Sequence, residues 1–282
     1  MQNSQAQVSG NISQEVVAGF GDEWQRFDQS PLTEGEMGRL FNEYFHLFPW
    51  TALPPNAVGF DLGCGSGRWA KLVAPRVGLL HLIDPSDAAL AVARGNLQEA
   101  NNCFFHCASV EAIPLADESA DFGYSLGVLH HIPNTQQGIE RCAAKLKPGA
   151  PFLLYLYYAF DNRPAWFRAI WQTSEVLRYF VSKMPFALRY WVSQMLAAFV
   201  YWPLARTSRL GESLGFNVEH VPLSAYRHRS FYIMRNDALD RFGTRLEQRF
   251  TRVQIKQMME QAGLHNITFS HESFWTAVGY KK

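Results

Sequence analysis

The spacing of apolar positions changes character along the chain, and each change marks a different kind of element. From Val16 to Phe48 apolar residues recur at three- and four-residue steps, through Phe20, Trp24 and Phe27 and then Leu40, Phe41, Tyr44, Phe45 and Phe48. That period predicts helix, and Pro31 divides the stretch in two because it cannot donate an amide hydrogen to a continuing helix. Residues 1–15 are expected to be frayed. Short apolar runs then alternate with helical patterns. The runs Ala57–Leu62, Leu79–Ile83, Cys103–Cys107, Phe122–Leu126 and Phe152–Tyr157 are expected as strands. Trp69–Val77, Ala88–Ala100 and Thr135–Leu146 are expected as the helices between them, the last stopped by Lys147-Pro148-Gly149. Strands that are apolar throughout, without polar alternation, belong to a parallel sheet covered on both faces. Residues 159–250 show helical patterns and no clear strand. A helix over Thr251–Ala262, capped by Gly263, and strands at Ile267–Ser270 and Trp275–Tyr280 close the chain.

Composition narrows the function. The 282 residues are 48% hydrophobic, enough to bury a core for one large domain or a domain with an insertion. The net charge of +1 gives no global field for nucleic acid. Residues 1–149 carry 9 Lys/Arg against 16 Asp/Glu, and residues 150–282 carry 17 against 9. The second half therefore suits an anionic ligand, partner or surface, or pairs with the first half. Cys64, Cys103, Cys107 and Cys142 form no CxxC pair, so metal ligation is not expected; reduced, mostly buried thiols in a cytoplasmic protein are. Met1–Gly10 is polar and uncharged and does not read as a secretion signal. The longest apolar stretch, Tyr190–Leu204, is shorter than the ~20 residues that cross a bilayer and ends around Pro203. It leaves an interfacial helix, and with it peripheral membrane contact, open.

The run Asp61-Leu62-Gly63-Cys64-Gly65-Ser66-Gly67 follows a strand and precedes a helix, where glycines let the backbone turn tightly and approach a ligand. A dinucleotide loop needs a glycine where Arg68 stands, and a Walker loop needs a lysine that is absent. The spacing resembles the first motif of class I S-adenosylmethionine (SAM)-dependent methyltransferases, in particular the small-molecule subset that acts on ubiquinone and menaquinone precursors. The resemblance covers residues 57–158 closely and 251–280 loosely. It implies that Asp61 organises the loop and the methionine end of SAM, and that Gly63, Cys64 and Gly65 hold the amino-acid part. It implies that Asp84, in Asp84-Pro85-Ser86, accepts both ribose hydroxyls; the alternative is that Asp84 or Ser86 caps the next helix. Ser109 and Val110 would meet the adenine, Leu126 the methionine moiety, and Trp24 would close a lid over the cofactor.

The expected fold is therefore α/β: a Rossmann-like, seven-stranded, mostly parallel sheet with helices on both faces, N-terminal helices, and a helical insertion after strand five. Residues 1–50 form the lid, 51–158 the SAM-binding core, 159–250 the insertion that selects the acceptor, and 251–282 a closing helix and β-hairpin.

Ser125-Leu126-Gly127-Val128 occupies the place where DNA base methyltransferases carry an Asn/Asp-Pro-Pro-aromatic motif, and no paired-glutamate loop is present. A small-molecule acceptor is expected and nucleic acid is not. His131 is a candidate base or pocket wall. Tyr157 belongs to a group with Tyr155, Tyr158, Asp161, Asn162 and Arg163. Arg229 belongs to the run Tyr226–Tyr232, followed by Arg235, Asp237, Asp240, Arg241 and Arg245. Arginine forks suit a carboxylate or phosphate; the alternative is that they pair with Asp237, Asp240 and Glu247. The expected reaction is methyl transfer to oxygen of an acceptor with an anionic group, giving S-adenosylhomocysteine (SAH). Rival readings are a hydrophobic or lipid-linked acceptor at a membrane surface, a SAM-binding protein that does not methylate, and a nucleotide-dependent oxidoreductase. The oligomeric state is not indicated.

Overall fold

Seven short strands build one sheet: β1 (Val58–Leu62), β2 (Leu79–Asp84), β3 (Cys103–Cys107), β4 (Phe122–Leu126), β5 (Pro151–Tyr155), β6 (Leu264–Phe269) and β7 (Thr276–Lys281). Their order across the sheet is β3-β2-β1-β4-β5-β7-β6. The first five are mutually parallel, and β7 lies antiparallel between β5 and β6. The computed structural model describes residues 10–161, 163–270 and 276–282. Asn162 and Trp275 lie outside the described residues, as do the first nine residues of the segment expected to fray.

Contacts divide the chain into unit 1, Met1–Ala159 with Leu246–Lys282, and unit 2, Phe160–Arg245. In unit 1, β1, β4 and β5 are buried nearly throughout, as their unbroken apolar runs require. The edge strand β3 is half exposed. Helices α1 (Gln14–Arg26), α2 (Glu34–Phe45), α3 (Ala70–Val73), α4 (Asp87–Asn96) and α5 (Thr135–Lys145) precede or alternate with the strands. Side-chain caps fix several starts: the hydroxyl or amide oxygens of Thr33, Ser86 and Asn134 accept from Glu36, Ala89 and Gln137 N–H. The strand order reverses at β1 and β4, so a crevice opens beyond the carboxyl ends of these strands, where open α/β sheets bind ligands.

Several expectations need correction. Residues 10–13 are not frayed: Asn11 is buried, donates to Asn134 O (2.8 Å) and accepts from Asn134 N (2.6 Å). The helix expected to run to Val77 stops at Val73 and continues as a 3₁₀ turn over Ala74–Arg76, because Pro75 has no N–H to give. The ladder of β5 ends at Tyr155, and Tyr158 makes only an isolated bridge to Phe250. Strand β6 begins at Leu264, earlier than expected, because a bulge between His265 and Thr268 breaks its alternation. Of the cysteines, Cys64 and Cys142 are buried, but Cys103 is half buried and Cys107 exposed. The closing helix, now α10 (Arg252–Gln261), begins with a capping box between Thr251 and Gln254.

Unit 2 is helical: α6 (Ala165–Val181), α7 (Phe186–Leu196), a π turn over Ala197–Tyr201, α8 (Trp202–Ser213) and α9 (Phe231–Gly243). Its small core joins Val181, Ala197, Tyr201, Ala205, Met234 and Phe242.

Candidate active site

The loop after β1 is held by the neighbouring strand. Gly63 N and Cys64 N both donate to Ile83 O, at 2.7 and 3.2 Å. Gly63 and Gly65 have φ of +77° and +54°, a left-handed conformation that favours glycine. Space demands glycine as well: a Cβ on Gly65 would lie 2.7 Å from the Trp24 ring, and one on Gly63 would lie 2.4 Å from Val128 Cγ2. Trp24 of α1 thus packs directly on the loop. Arg68 stacks its guanidinium on Trp69 (4.5 Å) and lies 5.6 Å from the Trp24 ring centroid.

Two buried carboxylates face this turn. Asp84 Oδ2 accepts from Gly65 N (3.0 Å) and Oδ1 from Ser86 N (2.9 Å). The helix cap belongs to Ser86, whose hydroxyl accepts from Ala89 N, so Asp84 is not needed as a cap. Burial pushes Asp84 up to about 6, against the pull of the two N–H groups. Asp61 is pushed up to about 8, first by burial and then by the charge of Asp84, while the Tyr124 hydroxyl and Arg68 oppose the rise. Asp61 Oδ2 is buried with the Tyr124 hydroxyl as its neighbour. Burial also keeps Cys64 a neutral thiol, so it contributes main chain rather than a nucleophile.

The remaining cofactor candidates lie at the ends of β2, β3 and β4. Pro85 follows Asp84. The Ser109 hydroxyl accepts from Glu111 N (3.3 Å) and shapes the turn in which Val110 is buried. Leu126, also buried, ends β4.

Beside these ends sits an aromatic and imidazole cluster. His131 lies in a 3₁₀ turn after β4 and is buried. Its Nδ1 is 2.7 Å from Leu246 O, so Nδ1 carries the hydrogen and donates, and in the neutral ring Nε2 carries the lone pair. The ring packs on Phe20 (4.9 Å between centroids) and Tyr157 (5.6 Å). His130 is sandwiched between His131 (4.0 Å) and Tyr157 (3.9 Å), and burial holds it neutral. Tyr44 of α2 reaches Trp69 and Tyr155 at 4.9 and 5.1 Å. His131 and Tyr157 therefore meet in unit 1; Arg229 belongs to unit 2.

The sequence reading missed Tyr44, Tyr124, His130 and the segment Leu246–Phe250. Tyr44 looked like any member of a helical apolar stripe. Tyr124 carried a signal, a hydroxyl inside an otherwise apolar strand. Leu246–Phe250 carried none, having no periodicity; yet it returns to unit 1, with Gln248 N donating to His130 O (3.0 Å) and Gln248 Nε2 to Ile132 O (2.7 Å).

Comparison with known proteins agrees with this geometry. Residues 60–154 match the family described as a methyltransferase domain. Over those residues the chain is similar to a methyltransferase domain. The ubiquinone biosynthesis O-methyltransferase of Coxiella burnetii is 26% identical over 126 residues, 44% of this chain and 51% of that protein. The trans-aconitate 2-methyltransferase of Variovorax paradoxus is 30% identical over 137 residues, 48% of each chain. The chain thus spans about half the length of the curated relatives it matches. The magnesium protoporphyrin IX methyltransferase of Synechocystis, solved with bound SAH, superposes with a TM-score of 0.53 at 12% identity, covering 94% of this chain and 95% of that one. At that identity it shares the fold. Two buried acids beside a left-handed glycine turn offer acceptors for the hydroxyls and ammonium of SAM. Among the described residues no cluster of His, Cys, Asp and Glu could hold a metal ion, and no helix is long and apolar enough to cross a membrane.

Proposed function

We propose that the protein transfers the methyl group of SAM to an oxygen of a small-molecule acceptor, leaving SAH. The observation that carries the cofactor is the pair of buried acids at the glycine turn, Asp61 and an Asp84 already positioned by two backbone N–H groups. SAM supplies an electrophilic methyl on a sulfonium, a leaving group that needs no acid. The protein's work is then to align the acceptor, exclude water and remove a proton. In this reading Asp61 and the backbone of Gly63, Cys64 and Gly65 hold the methionine end. Asp84 accepts from the ribose hydroxyls, and Ser109, Val110 and Leu126 border the adenine and methionine. Trp24 closes the loop from above.

His131 is the assigned base. Its Nδ1 hydrogen is fixed on Leu246 O, so the Nε2 lone pair takes the acceptor's hydroxyl proton as the oxygen bonds to the methyl carbon and the methyl–sulfur bond breaks. Tyr157 holds the imidazole pair by stacking. An anionic group on the acceptor is suggested by the arginine excess of residues 150–282. Several neighbours of Arg229 have other work: Arg227 pairs with Glu212, Arg241 with Glu175, and Arg235 donates to Gln194 and Tyr190.

The test is calorimetry against SAH and NAD, followed by methyl-transfer assays on hydroxylated acceptors with and without a carboxylate. SAH binding without NAD binding is expected. His131→Gln should lower kcat by about 10²–10⁴ with unchanged SAH affinity, the range of a lost general base. Arg229→Gln should raise KM for the carboxylated acceptor only. NAD binding in place of SAH would overturn the cofactor. An unchanged kcat would remove His131 as base, and an unchanged KM would remove the anionic group.

A further inference from the structure

Unit 2 wears its apolar side chains on the outside. Among the described residues, every exposed large hydrophobic except Phe104 and Val253 lies between Trp166 and Phe231. Along α6, Trp166, Ile170, Leu177 and Phe180 recur at helical spacing and are 50%, 52%, 42% and 60% exposed. Glu175 and Arg178 of the same helix are half-buried, and Glu175 pairs with both Arg178 and Arg241. The run from α7 through the π turn into α8 repeats the pattern. Leu188, Trp191, Met195, Phe199 and Trp202 stand outward, Phe199 at 72% exposure, while Arg189, Ser193 and Ser208 are buried. Isolated surface hydrophobics are ordinary, but contiguous stripes on successive helices mark a surface meant to be covered.

Charge indicates what covers it. Unit 2 holds 12 Lys and Arg against 6 Asp and Glu, a balance of +6. Lys183 and Arg209 are exposed on or next to the same helices and form no ion pair among the described residues. Lys183 lies over the Tyr179 ring, 3.5 Å from its centroid. Long cationic side chains rising from an apolar face, with Trp and Tyr among them, match a layer that is anionic at its surface and hydrocarbon below. A second copy of the chain would bring the same positive charge against this face. No described helix is long and apolar enough to cross such a layer.

We propose that the outward faces of α6, α7 and α8 dock the protein on an anionic lipid bilayer. Their apolar stripes enter the headgroup boundary, and Lys183 and Arg209 meet lipid phosphates. The docking does not depend on which atom is methylated, and its readout is separate from methyl transfer.

The experiment is flotation of the full chain with vesicles of phosphatidylcholine alone and of phosphatidylcholine mixed with phosphatidylglycerol. Binding to the mixed vesicles that weakens as salt rises is expected. The double variant Trp191→Glu/Phe199→Glu should bind at least tenfold more weakly while retaining wild-type thermal unfolding, since both side chains are exposed. Lys183→Glu/Arg209→Glu should lose affinity for the mixed vesicles and is the deciding variant if the first melts early. Absence of wild-type flotation at low salt overturns the proposal, as does flotation unchanged in both variants. A wild-type dimer in light scattering that separates in Trp191→Glu/Phe199→Glu, without flotation, assigns the face to a second copy instead.

Discussion

In unit 1 the buried carboxylates Asp61 and Asp84 converge on one glycine turn, and the aromatic rings around them are packed. In unit 2 the arrangement is reversed: Arg189, Ser193 and the Glu175 ion pairs lie inside or half inside, and tryptophans and phenylalanines lie outside. Burying charge without a partner is costly in either unit. In unit 2 Arg189 donates to Gly243 O at 2.8 Å. In unit 1 burial raises the pKa of both acids, that of Asp61 to about 8. The difference teaches where each unit expects its ligand: unit 1 in a crevice that supplies charge, unit 2 across a face that supplies apolar surface.

The largest test of this contrast is Asp84→Ala. It removes a charged acceptor that the loop and the cofactor share, and each charged hydrogen bond is worth roughly 1.5–3 kcal/mol. SAH affinity measured by calorimetry should fall about 100-fold, with vesicle flotation unchanged. Loss of both would show that the units do not act separately.

The pH dependence comes next. Asp61 in the folded chain sits at about 8, above its ordinary 3.8. The native state therefore holds a proton that the unfolded chain gives up above pH 4. Unligated stability should decline as pH rises from about 4 to 8, because unfolding releases that proton. A cationic ligand needs the charged form, so SAH affinity should rise by up to about tenfold per pH unit between pH 6 and 8. A flat affinity profile would mean that Asp61 does not meet the ligand.

The smallest effects separate the inside of unit 2 from its outside. Glu175→Gln weakens two arginine pairs that are partly shielded from water and should cost about 1–2 kcal/mol in denaturant unfolding. Trp191→Gln, at a position 66% exposed, should change stability by less than about 0.5 kcal/mol. A larger loss at Trp191 would mean that the ring is packed, and the contrast between the units would fail.

Much of unit 1 was legible in the chain. β3 and β4 begin and end at the expected residues, and β1 and β2 do so within one. Their apolar runs are bounded by glycine, proline or a polar turn, local signals that tertiary contacts did not override. Boundaries shifted where a local breaker acted, as at Pro75, or where a bulge hid the alternation, as near Asn266. The glycine spacing, Asp61 and Asp84 were legible because a tight turn against a ligand tolerates few residue types. The partners of His131 were not, since Leu246 and Phe20 reach it from 115 and 111 positions away. In unit 2 the sequence showed apolar stripes at helical spacing, and core packing was the natural reading. Periodicity gives the existence of a stripe, not which way it points.

By itself, the sequence determined the alternation of strands and helices, the glycine turn and the two acids that select the cofactor class, because backbone propensity, turn geometry and charge act over short range. Tertiary structure alone decided which ring nitrogen of His131 holds the hydrogen, that Asp61 is buried beside Tyr124, and that the stripes of α6, α7 and α8 face outward. Each depends on what distant segments bring alongside, and on which faces they leave in contact with solvent.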